Sequence, residues 1–441
     1  MQALVKIVKG KSFTSLAGNA IGALLGLLTF AMLARYLNKE DFGIWIFFIT
    51  TYGLFDTLRI GMIVNALIKN INACKSIDEE NIVIGTAFYL AGIITLLFLA
   101  VLIVLYFVFL VFKILPEHIN YLKWYAAVAL FSLPHNFASW LMNAKLKIFE
   151  MSLVRALQQL VFIAMIYILV KPEPTIFNVL IGFIVSHVSL SLATIVFKSS
   201  GINHIFNKSK SIFKNIINFG KYSTGTLIGS NLLRSSNTYI ITSMLGSAKN
   251  AVFNVPLRLI ELIEMPLRSF AITALPQFAK LYSDKKLETL KYEFERRTGA
   301  IFFMLLPLSL VCLFFADFMV YILAGKGYED SVILLKLFAI YTCILPLDKF
   351  SGIMLDVIDR PDLNFIKVML MLAVNVIGGI TVIYFFNSLE VLAIVSTLTF
   401  TTGTLYGFVM INKHLNVSFL NIFKLGFNDL YEKSLSIIKF K

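Results

Sequence analysis

The chain has 441 residues, is 58% hydrophobic and 15% charged, and carries a formal net charge of +14 with a mean hydropathy of +0.83. Apolar runs of about twenty residues recur from end to end, long enough to cross roughly 30 Å of hydrocarbon as helix, so a soluble globular enzyme is excluded and an integral membrane protein implied. The runs are continuous rather than alternating, which excludes a β-barrel.

In chain order the sequence predicts twelve spans, near 13–34, 43–68, 82–110, 124–142, 152–170, 176–197, 221–244, 251–278, 299–323, 332–357, 365–386 and 390–411. The charged start from Lys6 to Lys11 resembles a signal peptide, but the run after it is too long and lacks a small-residue cleavage site. It reads as an uncleaved anchor. With the N-terminus taken as cytoplasmic, the inner connections hold 26 Lys and Arg and the outer ones 7. That asymmetry places both termini in the cytoplasm. It also assigns most of the positive charge to topology and contact with anionic lipid, with no nucleic-acid partner. Cys74, Cys312 and Cys343 offer neither a disulfide framework nor metal-ligand spacing, and no metal or cofactor is expected.

The longest internal connection, about 198–220, divides the spans six and six. The expected organisation is an N-terminal bundle (1–200), an amphipathic cytoplasmic linker (201–220), a C-terminal bundle (221–411) and an amphipathic tail (412–441). At an offset of 208 residues Leu37 falls on Leu245, Asp56 on Glu264, and Ala66 with Leu67 on Ala274 with Leu275. Four residues later in register, Glu117 falls on Glu329, and Leu133 with Pro134 on Leu345 with Pro346. An even number of spans per half makes the repeats parallel, related by a pseudo-two-fold axis along the membrane normal, with substrate expected between them. In the linker Ile202, Ile205, Phe206, Phe213, Ile216 and Ile217 form one oily face among lysines. Both linker and tail are expected to lie in the membrane interface.

Of nine arginines, four lie deep inside apolar stretches: Arg59, Arg234, Arg258 and Arg268. Only two of the thirty lysines do, Lys336 and Lys349. Arginine keeps its charge when desolvated and offers a planar fork of donors suited to phosphate. At 100° per residue, Arg258, Glu261, Glu264 and Arg268 share a helix face with Asn254; Ser223, Ser230, Arg234 and Asn237 form a second stripe, and Tyr52, Asp56 and Arg59 a third. A charge at mid-bilayer costs about 2.5–3.5 kcal/mol on the gentlest scale, so these stripes are expected to face a wet cavity. Arg59, Arg234, Arg258, Arg268 and Lys349 are then candidate ligands for an anionic headgroup. Asp56, Glu261, Glu264 and Asp348 are candidates for ion coupling, Glu264 and Asp348 first. The alternative for each arginine is an internal pair with an acid three or four residues away.

His135 and His187 read as packing or helix-bonding residues, and Asn19, Asn375, Gln158 and Gln159 as interhelical hydrogen-bonding groups. Outer connections such as Lys171–Thr175 and Asn387–Glu390 leave no room for a catalytic domain, and no phosphate-binding loop or metalloprotease motif is present.

Two six-span halves, Leu37, Phe42 and Gly43 after the first span, and the Ala-Leu pairs near the inner ends of the second and eighth spans resemble the Wzx-type polysaccharide flippases of the multidrug/oligosaccharidyl-lipid/polysaccharide (MOP) exporter superfamily. The resemblance implies a MATE-like all-α membrane fold. It implies a monomer in the bacterial inner membrane that moves undecaprenyl-pyrophosphate-linked O-antigen or capsule units from the cytoplasmic to the periplasmic leaflet. It also brings in a polymerase and a chain-length regulator as candidate partners, and makes Arg59, Arg234 and Arg258 ligands of the pyrophosphate or acidic sugars. Unlike the related lipid II flippases, the first span has no cation in its middle, only Asn19. A cation-coupled multidrug exporter of the same fold and a membrane glycosyltransferase or polymerase stay open as alternatives.

Overall fold

The computed structural model describes residues 11–112 and 121–439. It packs as two units, Met1–Asn231 and Leu232–Lys441. In the first unit the helices are α1 (Lys11–Tyr36), α2 (Lys39–Ile71), α3 (Ile77–Phe112), α4 (Leu122–Phe131), α5 (Leu133–Ala144), α6 (Ile148–Met165) and α7 (Ile176–Val196). A π turn, Ile166–Val170, extends α6. Helix α8 (Lys210–Leu245) contains the division between the units. The second unit continues with α9 (Ser247–Ser283), α10 (Leu287–Phe314), α11 (Ala316–Ala324), α12 (Asp330–Thr342), α13 (Leu345–Val357), α14 (Pro361–Phe386), α15 (Leu389–Leu415) and α16 (Phe419–Lys439). No strand occurs among the described residues.

Seven of the described helices are long and apolar enough to cross a membrane by themselves, and α12 with α13, bent by 44°, makes an eighth. The other four expected spans fall on α1, on the broken pair α4 and α5, and on α8 and α9, which their polar stripes make too hydrophilic to qualify alone. Helix α3 shows what surrounds the molecule: Leu96, Leu97, Val101 and Val104 are exposed, as lipid-facing side chains must be.

Local chemistry sets the boundaries. Asn38 caps α2, its Oδ1 accepting from the Asp41 amide at 2.8 Å, with Glu40 and Asp41 in the first turn complementing the helix dipole. Thr175 and Ser388 cap α7 and α15 in the same way. Asn387 and Asn416 end α14 and α15 in the left-handed conformation that asparagine tolerates. Pro134 and Pro346 each sit in the first turn of a new helix, α5 and α13, where proline's missing N–H does no harm. The ninth expected span breaks at Phe315 into α10 and α11.

The linker differs from expectation. Its oily face turns at least in part to protein: Ile202, Ile205, Ile212, Phe213 and Ile217, each partly buried, pack against the first unit's core around Ile63, Leu67, Ile84 and Phe137, and Ile216 is fully buried. Only Phe206 of that face stays exposed. Gly85 permits the contact, because a Cβ there would meet the His204 carbonyl oxygen at 1.9 Å. The tail helix α16 likewise lays one face on α10, crossing where Gly299 and Gly426 leave no room for side chains. Its Ile422 is buried, whereas Leu420, Phe427 and Tyr431 are exposed.

Candidate functional site

In each unit an arginine cluster lies among the residues predicted to carry the site. In the first unit α2 delivers Tyr52, Asp56 and Arg59 on one face, as their spacing predicts. Arg59 is 0% exposed. Its Nε and Nη2 donate to Asp56 Oδ1 at 3.0 and 2.6 Å, and Nη2 also reaches Ser132 Oγ at 3.1 Å and Tyr52 Oη at 3.3 Å. Nη1 donates to the Ala129 carbonyl at 3.1 Å, one of the acceptors left over where α4 stops before Pro134. The Phe55 ring lies 4.8 Å from the guanidinium carbon. Charge, hydrogen bonds and packing of Arg59 are all satisfied internally.

Beside it, His135 and His187 form a hydrogen-bonded chain. Ser191 Oγ donates to the Phe131 carbonyl at 2.5 Å, so its oxygen accepts from His135 Nδ1 at 3.1 Å. His135 Nε2 then accepts from His187 Nδ1 at 3.2 Å. The expectation of helix-bonding histidines describes this arrangement. Arg155, in the first turns of α6, is exposed yet lies within reach of the Asp56 charge.

In the second unit Arg234 of α8 and Arg268 of α9 converge on a single oxygen. Glu264 Oε2 accepts from Arg234 Nη2 at 3.3 Å and from Arg268 Nη2 at 2.8 Å. The two side chains are 56% and 44% exposed, Glu264 only 16%. Arg258 pairs with Glu261 at 2.6 Å. Lys349 of α13 is exposed and feels the charges of Arg234, Arg268, Glu264 and Asp348. Asp348 itself is held by Lys367 of α14: Nζ lies 2.8 Å from Oδ1, and also donates to the Asp348 carbonyl at 2.7 Å and to Ser351 Oγ at 3.0 Å. Lys336 meets Asp317 at 3.5 Å, away from this group. Around Glu264 and Asp348 lie four cations, Arg234, Arg268, Lys349 and Lys367, and Asp356 adds a third acid within reach of the two lysines.

Asn375 forms the expected interhelical bonds, donating to Ser236 Oγ at 2.8 Å and to Asn237 Oδ1 at 3.0 Å. Asn254 bonds Asn250 within α9 and does not join the arginines. Gln158 bonds Ser186 at 2.9 Å. The side chains of Asn19 and Ser223, and Glu117 altogether, lie outside the described residues. Sequence reasoning missed Lys367 and Arg155. Counting charge by side assigns both to cytoplasmic flanks, although each stands inside an expected span, and that was the available signal.

The fold has known counterparts. An inward-facing multidrug resistance MATE-family transporter of the MOP superfamily matches with a TM-score of 0.73 at 15% identity, over 92% of this chain and 98% of that one. The lipid II flippase MurJ, in an inward closed conformation, matches with a TM-score of 0.73 at 14% identity, over 96% and 92%. A MOP-superfamily transporter from Pyrococcus furiosus follows with a TM-score of 0.63 at 15% identity, over 92% and 94%. No curated protein matches the sequence. Fold and composition together define an all-helical, multi-span membrane protein. More narrowly, a model of the polysaccharide biosynthesis protein family matches residues 8–282, and the chain belongs to that family.

Proposed function

We propose that the protein flips an undecaprenyl-pyrophosphate-linked oligosaccharide, an O-antigen or related repeat unit, from the cytoplasmic to the periplasmic leaflet by alternating access. The observation that carries this reading is the sharing of Glu264 between two exposed arginines. A cation exposed on a spanning helix needs water or an anion beside it, because hydrocarbon would cost about 2.5–3.5 kcal/mol. One carboxylate cannot neutralise two guanidiniums, and the remaining fork matches a phosphate edge. Lys349 and, one to two turns outward, Arg258 extend the cationic surface. Membership of the polysaccharide biosynthesis family supports a glycan cargo, and the likeness to MurJ, a lipid II flippase, supports a lipid-linked one.

In this reading Arg59 braces the broken helix and does not touch cargo. Coupling to H+ or Na+ falls to Asp348, whose cationic partner stands on a different helix, so that ion exchange there would be felt between α13 and α14. The protein works as a monomer in the inner membrane, both termini cytoplasmic, alongside a polymerase and chain-length regulator. The test is a flipping assay on Arg234→Glu combined with Arg268→Glu. Export of the lipid-linked unit is expected to fall about tenfold or more, the scale of one lost charge-assisted bond. Unchanged export refutes the reading.

A further inference from the structure

Away from the spanning arginines, the α9–α10 hairpin borders a cavity of about 470 Å³. Lys280, Lys286, Arg296 and Arg297 line it, against Asp284 and Glu293. Glu293 Oε2 accepts from Arg296 Nη2 and from Arg297 Nε, each at 2.9 Å. Arg297 is further fixed by Gln277 and by the Phe278 ring, 5.8 Å from its guanidinium carbon. Arg296 Nη1 lies 3.4 Å from Asp429 of α16, and its Nε–H is buried with no acceptor. Lys286 stands 3.9 Å from Asp284, at the limit of an ion pair, and Lys280 makes no ion pair among the described residues. Even with Asp429 counted, the group keeps one cation in excess, an orphaned donor and two lysines free to turn inward.

Its depth narrows the ligand. Arg296 and Arg297 come three and two residues before Gly299, where the apolar run of α10 begins, so they lie about 3–5 Å outside the hydrocarbon. Tyr292 on α10 and Phe427 and Tyr431 on α16 are exposed near the same level, the position aromatic rings take among lipid headgroups. We propose that this cavity binds the phosphate of an anionic membrane lipid, with Arg296 and Arg297 as a preset fork and Lys280 and Lys286 closing over it. The inference does not rest on the proposed transport activity.

The test follows thermal unfolding of the full chain in neutral detergent, titrated with phosphatidylglycerol, phosphatidylcholine or inorganic phosphate. Phosphatidylglycerol is expected to raise Tm saturably and phosphatidylcholine is not. In the variant Lys280→Ala with Lys286→Ala, apparent affinity for phosphatidylglycerol is expected to weaken about tenfold or more, and in Lys280→Arg with Lys286→Arg to persist. Equal stabilisation by phosphatidylcholine, or full affinity in the alanine variant, overturns the site. An equal Tm rise from inorganic phosphate at the same concentration overturns the assignment to lipid.

Discussion

The two broken helices, α4 with α5 and α12 with α13, meet the same problem with different groups. Each has a proline just past the break and leaves carbonyl oxygens without amide partners. In the first unit Ala129 O is taken by Arg59, and Ser132 lies 3.4 Å from the same oxygen. In the second, Ala339 O is taken by two hydroxyls, Ser309 from α10 and Thr342 at 2.6 Å. Where a guanidinium fills the gap, that cation is buried and locked. Where neutral hydroxyls suffice, Arg234 and Arg268 are left to share Glu264 and stay exposed. Asp56 and Glu264, which fall on each other at the 208-residue offset read from the sequence, make the contrast plain: one holds a single buried arginine, the other shares its oxygen between two exposed ones.

If this contrast is right, substitutions should separate stability from transport. The largest loss is expected for Arg59→Ala, which strands Asp56 and the Ala129 carbonyl: about 3–5 kcal/mol in denaturant unfolding, with Arg59→Lys recovering only part. A loss under about 1 kcal/mol would break the comparison at its first term. Next comes Lys367→Met, at about 2–3 kcal/mol, since it leaves Asp348 unpaired. Adding Asp348→Asn should restore part of that, as a double-mutant cycle would register. Ser309→Ala should cost about 1 kcal/mol, because Thr342 still serves Ala339 O. The smallest stability effect, within about 1 kcal/mol, belongs to Arg268→Ala, an exposed pair screened by solvent. That variant should nevertheless lose flipping, and a variant that loses fold and flipping together would erase the distinction between the clusters.

Much of this was legible beforehand. The helices and the Asp56–Arg59 pair follow from spacing of three or four residues; of the five prolines expected to break helices, Pro134 and Pro346 do so, whereas Pro256, Pro266 and Pro307 lie inside continuous helices. The linker's oily face was legible as a pattern, but its destination was not. Periodicity says that a face will be covered, not whether lipid or the core around Ile63 and Phe137 covers it. Lys367 escaped because it stands near a helix start, where lysines usually reach water, and here the neighbouring helix offers Asp348 instead.

Hydrophobic length and local rhythm, read along the chain alone, establish a membrane protein of many helices with charges where charges are costly. Those properties depend on residues within a turn or two of each other. Which arginine is spent on structure and which stays open depended on partners 70 residues away for Arg59 and 30 for Arg234. Only the folded arrangement brings such groups together, because desolvation and hydrogen bonding act through space and not along the sequence.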